Sequence, residues 1–138
     1  MKILFDIETD DLKATKVWCI VAKDLDSKQL YTYGPNQIEE GIKLLEEATH
    51  LVGHNIIGFD IPVIEELYDR PNLTEGKEII DTLVLSRLFN PSREGGHGLG
   101  VWGTKLNLSK IEFKEFDAFT CEMLDYCIRD VELNEKIF

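Results

Sequence analysis

The sequence has little cysteine and no long apolar run. Its three cysteines, Cys19, Cys121 and Cys127, form no Cys-x-x-Cys pair. That spacing argues against a disulfide framework or a zinc site and predicts reduced core thiols in a cytosolic protein. No apolar stretch approaches the ~20 residues that a membrane-spanning helix needs, and the N-terminus lacks the pattern of a signal peptide. We therefore expect no membrane association.

Positive charge is also scarce, since 15 Lys and Arg residues stand against 26 Asp and Glu residues and the formal net charge is −11. Such acidity argues against broad electrostatic binding of nucleic acid, which normally needs a basic patch. A phosphodiesterase that depends on divalent cations escapes this objection, because bound cations invert the local charge where phosphate must lie. Weak contact, or a basic partner that holds the strand, is then expected.

The remaining composition is that of a globular domain. The chain has 138 residues, of which 43% are hydrophobic and 30% charged. This length is enough to bury a core but short for two domains. We therefore expect residues 1–138 to form a single domain.

The first third of the chain predicts three strands. Lys2–Glu8 contains the apolar run Ile3-Leu4-Phe5, Val17–Ala22 is a continuous apolar run, and Gln29–Tyr33 alternates. The turn-like segment 24–27 joins the second strand to the third, and the three strands together favour an antiparallel meander. Apolar residues from Ile38 to Ala48 then recur at helical spacing, and Asn36 is the expected N-cap of that helix.

The rest of the chain alternates strands with helices. We expect, in order, a strand at Leu51–Asn55, a helix from Phe59 with Pro62 in its first turn, a strand at Ile79–Ile80, a helix at Leu83–Leu88, a polar loop at Asn90–Gly96, a helix at His97–Leu106 and a last helix at Phe116–Phe138. A meander followed by such alternation predicts an α/β fold with a mixed sheet. We expect five strands in the order 3-2-1-4-5, with helices on both faces and the first strand in the centre.

Asp6 and Glu8 are the first candidate functional residues. Positions i and i+2 of a strand share a face, so the two carboxylates project side by side from the first strand. Like charges held this close repel each other unless a cation lies between them, and hard oxygen ligands suit Mg²⁺ or Mn²⁺. The alternative is an ordinary solvated strand edge.

Further carboxylates can reach the same end of the sheet. Asp60 lies at the start of a predicted helix, where an acid can also simply complement the helix dipole. Tyr126 and Asp130 are four residues apart in the last predicted helix and so share a face, although a half-buried Tyr and a solvated Asp would have the same spacing. Ligands of open α/β sheets bind where connections leave the central strands in both directions.

Taken in order, these motifs resemble a known family. Asp6-x-Glu8-Thr9, then Asn55…Phe59-Asp60, then Tyr126-x-x-x-Asp130 are similar to the three motifs of the DEDD superfamily of 3′–5′ exonucleases, in the branch whose third motif carries tyrosine. The chain most resembles the proofreading exonuclease domain of phage family A DNA polymerases. Two further segments, 80–88 and 97–106, match that phage group. The resemblance implies an RNase H-like fold.

The resemblance also implies a mechanism with two divalent cations, Mg²⁺ or Mn²⁺. In that family the cations lie roughly 3.5–4 Å apart and act on the attacking water and on the leaving 3′ oxygen. By resemblance, Asp6 bridges both cations, Glu8 and Asp130 complete the site of the first, and Asp60 holds the second. Tyr126 is implied to orient the attacking water.

Substrate contacts are implied for Thr9, Leu12 and Asn55. Thr9 and Leu12 match positions beside the terminal nucleotide in the family, although a turn residue and a core leucine would occupy the same places. Asn55 matches a substrate-contacting asparagine, but it is one residue further from Asp60 than in bacterial members.

Three other polar or aromatic residues near these motifs are expected to be structural. His97 and Trp102 are interpreted as packing residues of their helix. Asp81 is interpreted as a helix cap near the site rather than as a ligand.

The expected function is hydrolysis of single-stranded or frayed DNA from the 3′ end to nucleoside 5′-monophosphates. The alternatives are a 3′–5′ exoribonuclease of the same fold and a non-catalytic nucleic-acid-binding module. The expected partners are a single-stranded DNA 3′ end and a polymerase domain or subunit. We expect a monomer in the cytoplasm of a bacterium or a phage-infected host cell, either as an excised editing domain or as a stand-alone enzyme.

Overall fold

The computed structural model describes residues 1–11, 13–89 and 119–138. Leu12, His97, Trp102, the predicted loop at Asn90–Gly96 and the predicted helix at His97–Leu106 lie outside these residues. Within them, no helix is both long enough and apolar enough to cross a membrane.

The described residues form five strands, four α-helices and one π-helical turn. In chain order these are β1 (Lys2–Thr9), β2 (Val17–Asp24), β3 (Leu30–Tyr33), α1 (Ile38–Glu47), β4 (His50–Gly53), the π turn (Ile56–Asp60), α2 (Ile61–Leu67), β5 (Glu78–Asp81), α3 (Thr82–Phe89) and α4 (Cys121–Ile137).

The strands form one mixed sheet in the order β3-β2-β1-β4-β5, which confirms the predicted topology. The first three strands pair antiparallel, whereas β1 pairs with β4 and β4 pairs with β5 in parallel. Because β1 is central, its C-terminal end lies where the chain leaves toward β2 on one side and where β4 ends on the other. This edge of the sheet is where the polar residues of the motifs gather.

Alternation along β1 sends apolar side chains to both faces of the sheet. Ile3, Phe5 and Ile7 join one buried cluster together with residues of α1 and α2. Leu4 joins the other, which contains Cys127 and Val131 of α4. At Asp6 and Glu8 the second face changes from apolar to acidic, directly beneath α4.

Four local predictions are wrong. Asn36 is not the cap of α1, because residues 34–37 form a turn and Gln37 occupies the N-cap position. Asn55 is not in β4, since it adopts a left-handed conformation with φ 60°. The last helix does not begin at Phe116, because Phe119 and Thr120 are non-helical and the Thr120 side chain accepts a hydrogen bond from the Met123 N–H as an N-cap. Cys19 and Cys127 are buried as predicted, but Cys121 is exposed in the first turn of α4.

Candidate active site

Asp6 and Glu8 lie on the same face of β1, as predicted. One carboxylate oxygen of Asp6, one of Glu8 and the Sγ atom of Cys127 all lie within 4.8 Å of one another. Glu8 is only 7% exposed, so its carboxylate is held in the protein rather than in bulk water. This arrangement is a compact set of donor atoms and not a solvated strand edge.

A bulge ends the pairing of β1 directly after Glu8. Glu8 pairs with Cys19 of β2 whereas Thr9 pairs with Val17, so Trp18 is the extra residue. Bulges are frequent next to active sites, because they bend a strand and redirect its side chains. Thr9 is buried at this bend, and its hydroxyl donates a hydrogen bond to the Asp11 carbonyl at 2.9 Å.

Asp60 lies at the same end of β1, although it belongs to the π turn that follows β4. Its Oδ2 accepts a hydrogen bond from the Ile7 N–H at 3.3 Å, and the side chain is buried. Ile7 stands between Asp6 and Glu8 in β1, so this bond fixes Asp60 against the strand that carries both carboxylates. The structure therefore brings Asp60 to the predicted site.

Burial raises the pKa of Asp60 well above its usual value, and the negative charge of Asp6 acts in the same direction. The hydrogen bond from the Ile7 N–H opposes these effects. In the absence of a cation, the Asp60 carboxylate is thus held where its charged form is disfavoured.

The π turn explains the long spacing between Asn55 and Asp60. The Ile61 N–H donates to the Ile56 carbonyl, five residues earlier, whereas an α-helix closes over four. The wider turn accommodates one extra residue, so Asp60 still enters α2 in the orientation that its bond to Ile7 requires. Turns of this type are frequent at functional sites.

Asn55 lies at the start of this turn and is exposed. A Cβ atom on Gly58 would come within 2.6 Å of the Asn55 Oδ1 atom, so the side-chain amide lies directly against the Gly58 backbone. The side-chain amide of Asn55 therefore occupies space that a larger residue at position 58 would fill. Its main-chain N–H donates to Asp81 Oδ1 at 2.8 Å.

Helix α4 brings the third motif to the same face of the sheet. The thiol of Cys127 donates to the main-chain carbonyl and to the Oδ2 atom of Asp6, both at 3.5 Å. Asp130 lies three residues further on, hence on the same side of the helix, and is buried. Tyr126 is half-buried and lies one turn before Asp130. Because Asp130 shares the Cys127 side of the helix, it faces the strand that carries Asp6.

Cys127 is the contact that the sequence interpretation missed. Burial raises the pKa of its thiol well above the usual value, and a hydrogen bond with Cys19 and the charge of Asp6 act in the same direction. The thiol therefore remains protonated and donates to the Asp6 carboxylate. Its spacing of three residues to Asp130 was the available signal, because it places both side chains on one face of a helix.

The donor set fits Mg²⁺ or Mn²⁺. Glu8, Asp60 and Asp130 are each less than 10% exposed, at 7%, 4% and 6% respectively, and Asp6 lies beside Glu8 and acts electrostatically on Asp60. Buried carboxylates of like charge repel one another, and a hard divalent cation with a preference for oxygen ligands removes that repulsion. The residues that could hold such cations are Asp6, Glu8, Asp60 and Asp130.

An open cavity of about 480 Å³ lies between the segment after β1 and the start of α2. One wall is the segment Lys13–Thr15, which follows β1, and the other is the surface of the π turn and α2 at Gly58, Phe59 and Pro62. Glu66 of α2 also lines it, whereas Asp6, Glu8, Asp60 and Asp130 do not. Cavities of ~300–1,000 Å³ are typical of small-molecule sites.

Comparison with known proteins identifies related polymerases. A model of the RNase H superfamily matches residues 3–118. The DNA-directed DNA polymerases of Enterobacteria phage T3 and Escherichia phage T7 are each 27% identical to the chain over an alignment of 180 residues. These alignments cover 98% of this chain but 26% of each polymerase, so the chain spans about a quarter of their length. The predicted resemblance to phage polymerases is thereby confirmed.

Two solved structures share the fold. The family B DNA polymerase of the archaeon Pyrobaculum calidifontis matches with a TM-score of 0.71 at 14% identity, over 96% of this chain and 23% of the polymerase. Brucella melitensis NrnC with bound Mg²⁺ matches with a TM-score of 0.66 at 17% identity, over 99% of this chain and 69% of NrnC. At these identities the matches establish the fold alone.

Proposed function

The chain belongs to the RNase H superfamily, and on that premise we propose that it is a metal-dependent 3′–5′ exonuclease. Its substrate is a single-stranded or frayed DNA end, and its products are nucleoside 5′-monophosphates. The observation that carries this proposal is the convergence of Asp6, Glu8 and Asp60 at the end of the central strand, where Cys127 of α4 contacts Asp6 and Asp130 is buried on the same side of α4.

The proposed roles follow from these positions. Asp6, Glu8, Asp60 and Asp130 hold two divalent cations, which when bound neutralise charge on the phosphate and activate the attacking water. Asp6 is the shared ligand, because it adjoins Glu8 on one side and its charge acts on Asp60. Tyr126, one helical turn before Asp130, donates or accepts a hydrogen bond that orients the water.

The proposed substrate site extends from the carboxylates along the cavity beside α2. Thr9 and Asn55 flank the terminal nucleotide, and Leu12 contacts its base. The cavity wall supplies an aromatic ring at Phe59 and a cation at Lys13. These are groups that bind bases by stacking and phosphates by charge.

We propose that the polymerase partner of this monomeric domain is a further domain of the same chain or a separate subunit. The relatives of phages T3 and T7 are DNA polymerases of which the aligned part is about a quarter. With a net charge of −11, the domain alone has little overall electrostatic attraction for DNA. A partner that binds the duplex would supply this retention, in the cytoplasm of a bacterium or a phage-infected host.

The proposal is tested with a 5′-labelled single-stranded oligonucleotide in Mn²⁺ or Mg²⁺. We expect a ladder of products shortened from the 3′ end, release of nucleoside 5′-monophosphates, and no cleavage of circular single-stranded DNA. Chelator or Asp6→Asn should lower the rate by about 10³-fold or more, because loss of a cation site removes several kcal/mol of transition-state stabilisation. Full activity of Asp6→Asn, or in chelator, would refute the proposal.

A matched pair of variants on α4 controls for general effects of lost charge. Asp130→Asn should abolish hydrolysis, whereas Asp125→Asn should retain it, because Asp125 is exposed and Asp130 is buried beside the site. The same oligonucleotide made as RNA separates a deoxyribonuclease from an exoribonuclease by the ratio of rates. Absence of both Mn²⁺ binding and cleavage would instead indicate a non-catalytic binding module.

A further inference from the structure

Two consecutive residues at the end of β5 contact both segments that bring the outlying carboxylates to the site. Asp81 is buried, and its Oδ1 accepts hydrogen bonds from the N–H groups of Asn55 at 2.8 Å and Leu83 at 2.9 Å. Its Oδ2 accepts from the Ile57 N–H at 3.0 Å. Asp81 therefore caps α3, as predicted, but it also holds the start of the π turn that ends at Asp60.

Thr82 makes the corresponding contacts to α4. It is 1% exposed, and its hydroxyl donates to the Oδ1 atom of Asn134 at 2.7 Å. The same oxygen lies 2.9 Å from His54 Nδ1 and 3.3 Å from the Gly53 carbonyl oxygen, so Thr82 also contacts the end of β4. Asn134 is 3% exposed and lies four residues after Asp130, hence one turn further along the same face of α4.

The relative positions of Asp60 and Asp130 must be set by contacts with a third part of the fold. They belong to different elements, approach β1 from different connections, and carry charges of the same sign in a buried place. Repulsion from the Asp6 carboxylate already acts on Asp60. Strand β5 pairs with β4, and Gly53 lies opposite Asp81 in that register, so the end of β5 is fixed relative to the sheet.

We propose that Asp81 and Thr82 form an alignment pair, which sets the distance between Asp60 and Asp130 across the cation site by fixing the π turn and α4 to one point of the sheet. Both are positioning residues and hold no cation themselves. This inference rests on the proposed function, because it concerns the spacing of the same carboxylates. Residues that orient metal ligands typically change metal affinity ~10–100-fold when they are replaced.

The test measures Mn²⁺ binding by calorimetry in the absence of DNA, alongside thermal unfolding in chelator. Thr82→Val removes the hydroxyl at nearly constant volume, and Asn134→Leu removes its partner. We expect both variants to bind Mn²⁺ about 10–100-fold more weakly than the wild type. Thr82→Ser keeps the hydroxyl and should restore wild-type affinity.

A control for stability comes from the opposite face of the sheet. Ile42→Val in α1 lowers the stability of the fold at a buried site remote from α4 and should leave Mn²⁺ affinity unchanged. If Thr82→Val fails to fold, Asn134→Leu tests the contact with α4 and Asp81→Asn tests the contact with the π turn. Asp81→Asn replaces one acceptor of the main-chain N–H groups by a donor, so it should weaken Mn²⁺ binding through the π turn.

The outcomes separate this inference from the proposed function. If the wild type binds Mn²⁺ and cleaves DNA while Thr82→Val and Asn134→Leu lower only the unfolding temperature, the two residues are structural and the alignment pair is refuted. If the wild type itself binds no Mn²⁺ and cleaves nothing, the proposed function fails and this inference fails with it. Weaker Mn²⁺ binding in both variants, rescued by Thr82→Ser, supports the alignment pair.

Discussion

At the scale of single residues, the site contains a buried carboxylate whose negative charge few neighbouring groups stabilise. Asp60 is buried, close to the Asp6 charge, and stabilised by hydrogen bonds from two main-chain N–H groups, those of Ile7 and of Asp60 itself. While no cation is bound, burying a carboxylate that serves as a cation ligand costs folding free energy. Residues that serve activity often lower the stability of the fold in this way. Because the pKa of Asp60 is raised, this loss of stability can be measured from unfolding at different pH values.

We predict that Asp60→Asn stabilises the cation-free protein at neutral pH. Asparagine keeps an oxygen that accepts from the Ile7 N–H but carries no charge to bury. We expect an increase of a few degrees in the unfolding temperature in chelator, since ~1 kcal/mol corresponds to roughly 4 °C in a domain of this size. Mg²⁺ or Mn²⁺ should stabilise the wild type more than the variant, because the variant lacks a ligand.

The pH dependence of this effect has a definite sign. The folded-state pKa of Asp60 is raised above its unfolded value, so the folded protein binds more protons in the interval between the two. Stability of the wild type in chelator should therefore fall as pH rises from about 4 through the folded pKa, relative to Asp60→Asn. Denaturant titrations at several pH values measure it, with the exposed Asp125→Asn as control. A variant less stable than the wild type at pH 7 would contradict the prediction.

At the scale of elements, the π turn and the adjoining end of β4 decide where the second motif lies. Two glycines in this region make close contacts of different kinds. A Cβ atom on Gly53 would lie 2.3 Å from Ile56 Cγ2 and 3.0 Å from the Phe5 carbonyl oxygen, so one of the obstacles is backbone. A Cβ atom on Gly58 would instead meet the end of the Asn55 side chain.

We predict that these two glycines differ in the effect of replacement by alanine. Gly53→Ala should destabilise the fold by about 1–3 kcal/mol, because a packed core side chain and the backbone of β1 must shift. Gly58→Ala should change stability little but displace the Asn55 amide, which is free to rotate away. If Asn55 contacts the substrate, KM for an oligonucleotide rises while kcat changes little.

A double-mutant cycle identifies the cause of the Gly58→Ala effect. Asn55→Ala should raise KM as Gly58→Ala does, and the double variant should show no further increase, because both changes remove the same contact. Additive effects would mean that Gly58 contributes to binding independently of Asn55. Denaturation midpoints of all variants separate binding from stability.

At the scale of the whole molecule, the charge of the chain sets how it meets DNA. A net charge of −11 repels a polyanion, so the proposed binding of DNA would depend on the proposed cation site and on cationic side chains such as Lys13. A protein that neutralises many phosphates loses affinity steeply as salt rises, whereas this domain has few phosphate contacts to lose.

We predict a weak salt dependence of DNA hydrolysis. Between about 50 and 200 mM salt, KM for a single-stranded oligonucleotide should change less than about threefold, compared with ~10³–10⁵ for a protein that makes 6–10 phosphate contacts. Initial rates at saturating Mn²⁺ give KM without interference from weaker cation binding. A steep rise of KM with salt would reveal a basic DNA-binding surface that the composition does not suggest.

The sequence by itself determined the strand order and the first carboxylate pair. Both depend on local regularities, namely the alternation of side chains along β1 and the short connections that force a meander. The shared face of Asp6 and Glu8 follows from the geometry of a single strand. The same holds for Tyr126 and Asp130, whose spacing of four residues fixes a common side of one helix.

Only the tertiary structure decided how these local pieces meet. The bond from Ile7 to Asp60 spans 53 residues and the contact of Cys127 with Asp6 spans 121, and no periodicity within one element encodes either. The π turn was missed because a helix period of 3.6 residues does not anticipate a turn one residue wider. Asp81 was interpreted only as a helix cap, since its distant partner Asn55 becomes a neighbour only when the parallel strands pack together, and the packing of α4 likewise brings Asn134 to Thr82.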